Sequence, residues 1–329
     1  MYDLLKKKDY IYSGKLGSHI ADFIAEKRAF GCLYNTEAKK LSEFSRMTMK
    51  YDFTEDTLTQ EVVEAWLTRR PTDADKTVYS RFSIIRGFAD YMVRHGYDAY
   101  IPSSADLSLL HTTGYVPYVF THEEIERFFA VYRAEREFKT AYCARLKVMM
   151  QMIFELLYCC GLRMSEATNL KSEDVDLTNG ILIVRFAKFE KSRYVPISPD
   201  VATDLKEYMD SYIHEPFLFP GRTGQHLDKN SVYNEFRHVL LAAGIPHYGR
   251  GKGPRVHDFR HTFACHCLHR WIKNGVPVSS ALPRLSTYLG HSDITATEKY
   301  IHMTAEVYPE ISEKLSREYG HLIPKEAQS

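Results

Sequence analysis

The 329-residue chain lacks any run of roughly 18 apolar residues, so no segment has the length and hydropathy of a membrane-spanning helix. Its first ten residues, "MYDLLKKKDY", are charged where a secretory signal needs an apolar core, and the expected location is the cytoplasm. A surplus of one charge sign is also missing. The formal net charge is +1, which excludes a uniformly basic surface and leaves open only a local clustering of cations. Cysteines number six, none in the C-x-x-C spacing of a zinc or redox motif, so they read as thiols serving as small core residues. Internal repeats and low-complexity segments are absent as well.

What is present suits two packed domains. Apolar residues make up 44% of the chain, enough for two cores. From Gly14 to about Ile101 the pattern is helical, most clearly in "TVYSRFSIIRGFADYMVRHG", where Val78, Phe82, Ile85, Ala89 and Met92 recur at helical spacing. Gly96 stands where a C-terminal cap is expected. Arg81 and Arg94 read as the opposite, polar side of that helix, with Arg86 close by. "YIPSSADLSLLHTTGYVPYVF" has little helical period and contains Pro102, Gly114 and Pro117, so it reads as a linker. The expected boundaries are a helical domain over 1–104, a linker over 105–120 and a second domain over 121–329.

The second domain opens with a capping box, Thr121 with Glu124, ahead of "THEEIERFF". An apolar helix, "LKVMMQMIFELLYCC", ends at Gly161. "GILIVRFAKFEKSRYVPI" changes period and is rich in β-branched and aromatic residues on both sides of a polar turn. It reads as a β-hairpin with Lys188 at or near its tip. Helices then resume in "NSVYNEFRHVLLAAG", in "DFRHTFACHCLHRWIKNG" and in the segment that holds Tyr300. The fold class is thus mainly α with a small β-hairpin or sheet in the second domain.

Several groups could carry chemistry. "RGKGPRVHDFRHTF" gathers Arg250, Lys252, Arg255 and Arg260 with His257 and His261, and could cradle a phosphate or simply be a solvated loop. His257 and Arg260 share the start of a helix, where an anion is favoured. Arg163 follows the Gly161 break, with Glu166 placed to hold its guanidinium; a plain structural ion pair is the bland alternative. His261, Cys265 and His269 lie on one helix face, yet the outer two are separated by about 12 Å along the axis and cannot share a tetrahedral metal with the middle one. Arginines, a lysine, histidines and a tyrosine together form an inventory for metal-free attack on a phosphodiester. With 23 tyrosines in the chain, composition alone does not select one.

The order and wording of the motifs does. "GLRMSE" at 161–166, a hairpin lysine ahead of Val195 and Pro196, "HDFRH" at 257–261 and "LGHSDITATEKY" at 289–300 follow one another as in the tyrosine recombinase (phage integrase) family, which the chain resembles over nearly its whole length. The resemblance implies Arg163, Lys188, His257, Arg260, His291 and Tyr300 as catalytic residues. Lys191 is a nearby rival for Lys188, because the hairpin reads "AKFEKS" where the family often has G-K-G. Phe259 replaces the more usual leucine. The implied fold is a two-domain clamp on DNA, an N-terminal core-binding domain with a catalytic domain. Arg81, Arg86, Arg94, Arg250, Lys252 and Arg255 are then candidate phosphate contacts, which reconciles near-neutral charge with DNA binding.

The implied activity is site-specific recombination of double-stranded DNA through a 3′-phosphotyrosine intermediate, as in DNA integration, excision or resolution by mobile elements. Neither metal nor ATP nor another cofactor is expected. A tetramer on DNA is expected too, with the segment "IHMTAEVYPEISEKLSREYGHL" either exchanged between protomers or packed on its own domain. The short lead before Gly14 favours a simple recombinase without an additional arm-binding domain. Rival readings are a type IB topoisomerase, a DNA-binding regulator that never cuts, and a zinc protein.

Overall fold

The computed structural model describes residues 7–103, 116–134, 140–185, 192–212, 216–249, 253–291 and 293–308. They fall into two compact units that divide between Tyr115 and Val116.

The first unit is built from α1 (Gly17–Ala29), α2 (Asn35–Thr48), α3 (Gln60–Leu67) and α4 (Asp75–Arg94). Two short strands, β1 (Thr57–Leu58) and β2 (Asp98–Ala99), pair in parallel, a feature the uniformly helical reading of this region did not contain. The apolar spacing of α4 buries Val78, Phe82, Ile85, Ala89 and Met92 as expected, and the last three share a core with Phe23, Phe44 and Trp66 from the other helices. A fully buried phenylalanine such as Phe88 contributes about 1.5–3 kcal/mol by leaving water.

Arg81 corrects the sequence reading. It lies on the same stripe as Val78 and Ile85 rather than opposite them, is only 5% exposed, and pairs with Asp73 while donating to the Trp66 carbonyl at 3.2 Å. Its charge is spent inside the unit, so it is not a phosphate contact. Arg94 is partly exposed and paired with Glu26 at 2.9 Å.

In the second unit Phe120, from the end of the segment read as a linker, is already core. Its ring stacks on Phe259 at 5.1 Å, and its N–H donates to Thr262 Oγ1. The Thr121–Glu124 capping box forms in full and opens α5 (His122–Arg133). The apolar α6 (Ala141–Cys159) and the short α7 (Met164–Thr168) follow.

A three-stranded antiparallel sheet has the order β3 (Val175–Asp176), β4 (Ile181–Val184), β5 (Arg193–Pro196), with Ile181 opposite Pro196 and Val184 opposite Arg193. The two long strands are the expected hairpin; its turn, with Lys188 and Lys191, lies outside the described residues. Then come α8 (Pro199–Ser211), α9 (Lys229–Ala242), α10 (Asp258–Lys273), α11 (Val278–Leu289) and α12 (Thr295–Val307). Phe128, Phe154, Phe236 and Phe259 fill one core, and α10, α11 and α12 enclose a second around Leu268, Leu285 and Ile301.

Only Cys160, Cys265 and Cys267 are buried. Cys32, Cys143 and Cys159 are exposed, which corrects the reading of all six as core residues. Among the described residues no helix is long and apolar enough to cross a membrane.

Candidate active site

Two glycines bring the sequence motifs together. Gly161 ends α6 with φ +59°, and a Cβ there would stand 2.5 Å from the Phe263 ring, so the chain can turn into Arg163 only without a side chain. Gly290 closes α11 with φ +68° in a Schellman turn, His291 N–H bonding the Ser286 carbonyl and Gly290 N–H that of Thr287. That turn delivers His291, and the absent Cβ leaves room for Arg193, whose Cδ would lie 2.9 Å away.

Arg260, on the first turn of α10, ties both turns to itself. Its Nη1 donates to the Gly161 carbonyl and its Nη2 to the Leu289 carbonyl, each at 2.6 Å. Nη2 also lies 3.2 Å from His291 Nε2. Since arginine only donates, His291 Nε2 accepts, which leaves its Nδ1 to donate to Thr297 Oγ1 at 2.7 Å. Arg260 is 1% exposed, and burial first, then the charge of Arg163, pushes its guanidinium down to about 10.

Arg163 precedes α7 and is held as the sequence suggested, Nη1 to Glu166 Oε1 at 2.7 Å. Glu166 has a second and stronger partner that the sequence reading missed. Arg193 of β5 grips both carboxylate oxygens at 2.9 Å and donates its Nε to the Tyr288 carbonyl. Burial alone would raise the Glu166 carboxyl, but the hydrogen bonds and charges of Arg193 and Arg163 hold it at about 2. A strand signal could have exposed Arg193: it shares a face with buried Val195, and an arginine on the inner face of a strand calls for a carboxylate.

Tyr300 is 1% exposed, and its hydroxyl lies 3.0 Å from His261 Nδ1. Burial pushes the phenol up to about 12 against the lowering effect of Arg260, so near neutrality it keeps its proton and donates to the imidazole. His261 is buried and pushed down to about 3, by burial first and then by the charges of His257 and Lys299. His257 keeps an exposed edge and meets His261 edge to face at 4.8 Å between ring centres. Lys299 Nζ stands 5.1 Å from the centre of the Tyr300 ring.

Four predicted residues, Arg163, Arg260, His291 and Tyr300, thus converge with Glu166, Arg193, His261 and Thr297, and His257 adjoins them through His261. Lys188, Arg250 and Lys252 lie outside the described residues. For the zinc alternative, His261 is engaged by Tyr300 and His269 stacks on Tyr308. Among the described residues no three His, Cys, Asp or Glu side chains are grouped to hold a metal ion.

The arrangement presents arginine donors and neutral histidines around a tyrosine hydroxyl, a composition suited to taking a phosphodiester through a pentavalent state. The model of the phage integrase family matches residues 119–306, which includes every group just described. The chain belongs to the phage integrase family.

Family relatives agree along the sequence. The integrase/recombinase y4rB of Sinorhizobium fredii is 29% identical over 91% of this chain and 96% of its own length. The tyrosine recombinase XerA of Thermococcus kodakarensis is 33% identical over 60% of this chain and 63% of its own, so that match spans less than two thirds of XerA. The fold is that of solved recombinases. XerH bound to palindromic difH, in a post-cleavage complex, superposes with a TM-score of 0.64 at 18% identity over 95% of this chain and 98% of XerH. The Tn1549 transposon integrase with circular-intermediate DNA gives 0.62 at 17% identity over 86% and 94%. The enzyme class is tyrosine recombinase, and its function is site-specific DNA recombination.

Proposed function

We propose that Tyr300 is the nucleophile with which this phage integrase family member cleaves and rejoins double-stranded DNA recombination sites. The observation that carries this reading is the bonding of Arg260, whose single guanidinium holds the backbone before Arg163 and before His291 while its charge reaches the Tyr300 hydroxyl. Tyr300 Oη attacks a DNA phosphate to give a 3′-phosphotyrosine and a free 5′-hydroxyl. Attack by the 5′-hydroxyl of a partner strand reverses the step. Arg163, Arg260 and His291 stabilise the pentavalent phosphorane, Lys188 protonates the departing oxygen, and His257 assists proton transfer. One phosphodiester is exchanged for one phosphotyrosine ester, so the cycle requires no ATP.

The protein acts in the cytoplasm as a tetramer on two DNA sites, with an N-terminal helical domain over 1–104 and a catalytic domain from 121. The tetramer is tested by deleting the residues after Pro309 and measuring complex size on DNA, where an unchanged tetramer excludes exchange of that segment. The nucleophile is tested by denaturing capture of covalent protein–DNA adducts from cells and sequencing of the attached DNA. Tyr300→Phe is expected to abolish the adduct and leave DNA affinity within about threefold; an adduct that survives overturns the assignment. A topoisomerase would instead relax supercoils without joining two sites.

A further inference from the structure

The motif comparison assigns proton handling to His257, yet His257 is not the imidazole that touches the nucleophile. Among the described hydrogen bonds the Tyr300 hydroxyl meets His261, one helical turn further along α10, at 3.0 Å from Nδ1. That distance is within the reach of a general base. The ring cannot easily turn away. It is buried, and the edge-to-face contact with His257 on one side and the Tyr300 ring, 5.6 Å between centres, on the other hold its plane.

We propose that His261 is a further catalytic residue, the group that takes the phenolic proton of Tyr300 during cleavage and returns it during rejoining. This rests on the assignment of Tyr300 as nucleophile. In cleavage the Tyr300 Oη–P bond forms as the Oη–H proton passes to His261 Nδ1. The P–O5′ bond then breaks, and the departing oxygen takes a proton from the lysine assigned to that role. In rejoining, the 5′-hydroxyl of the incoming strand attacks the phosphotyrosine as its proton returns to that lysine, the P–Oη bond breaks, and the His261 imidazolium gives its proton back to the departing phenolate.

The resting site holds this base in check. Burial first, and then the charges of His257, Lys299 and Arg260, oppose protonation of His261. A bound DNA phosphate sets a negative charge against those cations and offsets their share of the opposition, so the base gains strength when the substrate arrives. His257, touching His261 and not the hydroxyl, becomes the route by which that proton communicates with solvent.

The test uses the full-length protein and a nicked duplex of the captured sequence. His261→Asn keeps a hydrogen-bond acceptor near the Nδ1 position but cannot carry a proton. It is expected to slow cleavage by about 10²–10⁴-fold near neutral pH while thermal stability and duplex affinity change little. The defect should shrink as pH rises toward about 12, where the buried phenol ionises unaided. It should also persist on a duplex with a 5′-bridging phosphorothiolate, whose thiolate leaves without a proton. Cleavage by His261→Asn within about threefold of the native rate overturns the proposal and reduces His261 to a positioning residue. So does a defect that vanishes on the phosphorothiolate, or one that does not change with pH. If the native protein forms no adduct at all, the nucleophile assignment itself has failed, a different outcome from a native adduct with an unimpaired variant.

Discussion

Among the described residues two arginines are almost wholly buried, one in each unit, and they are held in different ways. Arg81 in α4 ends on the carboxylate of Asp73 and on one backbone carbonyl. Arg260 in α10 ends on two backbone carbonyls and a histidine nitrogen, with the nearest carboxylate oxygen, from Glu166, 3.9 Å away and already gripped by Arg193 and Arg163. The first charge is cancelled where it stands. The second is oriented by neutral dipoles and keeps its attraction for an anion, at the cost of a buried cation without a close counter-ion. A buried arginine paired with a carboxylate is neutralised within the scaffold, whereas one held by carbonyls keeps a charge available to an anion.

Removing each arginine sharpens the contrast. Arg81→Met leaves Asp73 without its charge partner and is expected to lower the stability of the first unit. Urea melts followed by first-unit probes would show it, and cleavage per folded molecule should be unchanged. Arg260→Lys retains a charge but offers one ammonium where a planar fork held two carbonyls. Cleavage should fall by roughly 10²–10³-fold, about 2.7–4 kcal/mol of barrier, with a loss of stability of only about 1–2 kcal/mol. If Arg260→Lys instead unfolds the second unit and leaves cleavage by the folded fraction intact, the distinction between the two arginines is wrong.

The units should also part company in acid. His261 is held neutral in the folded protein until about pH 3, whereas an unfolded histidine takes a proton near pH 6.5. His291 behaves alike, held down to about 4 by burial and by Arg260. Their folded pKa values are depressed, so the unfolded chain binds the extra protons. The stability of the second unit is then full above about pH 6.5 and declines as pH falls toward 4, by about 2–4 kcal/mol for the buried His261. In the first unit the corresponding group is Asp73, lowered by the Arg70 N–H and by Arg81, and its contribution is lost only below the usual carboxylate range. Denaturant midpoints measured between pH 7 and 4 should drop for the second unit alone.

Much of the site was legible because its residues sit in local motifs. Gly161, Arg163, Arg260, Gly290 and His291 each occupy a turn or a helix start with a recognisable spacing, and Tyr300 follows His291 at a fixed interval. The capping box at Thr121 and the hairpin ahead of Pro196 were legible for the same reason, since each is made within a few residues. Arg193 and the role of His261 depend on contacts between distant segments, β5 with α7 and α10 with α12, which no local pattern encodes. Arg81 was misread because its charge outweighed its spacing: it is three residues from Val78 and four from Ile85, on the buried stripe. The helix α11 was passed over because Pro283 lies inside it, and proline reads as a breaker where tertiary packing in fact retains the helix.

The burial of Tyr300 also bears on how such an enzyme can be carried safely by its host. A hydroxyl that is 1% exposed and tethered to a neighbouring ring is shielded from water and from passing phosphates, and burial keeps its proton on. With Tyr300 as the proposed nucleophile, reagents that modify surface tyrosines should spare it until DNA is engaged, and the unbound protein should leave chromosomal DNA unnicked.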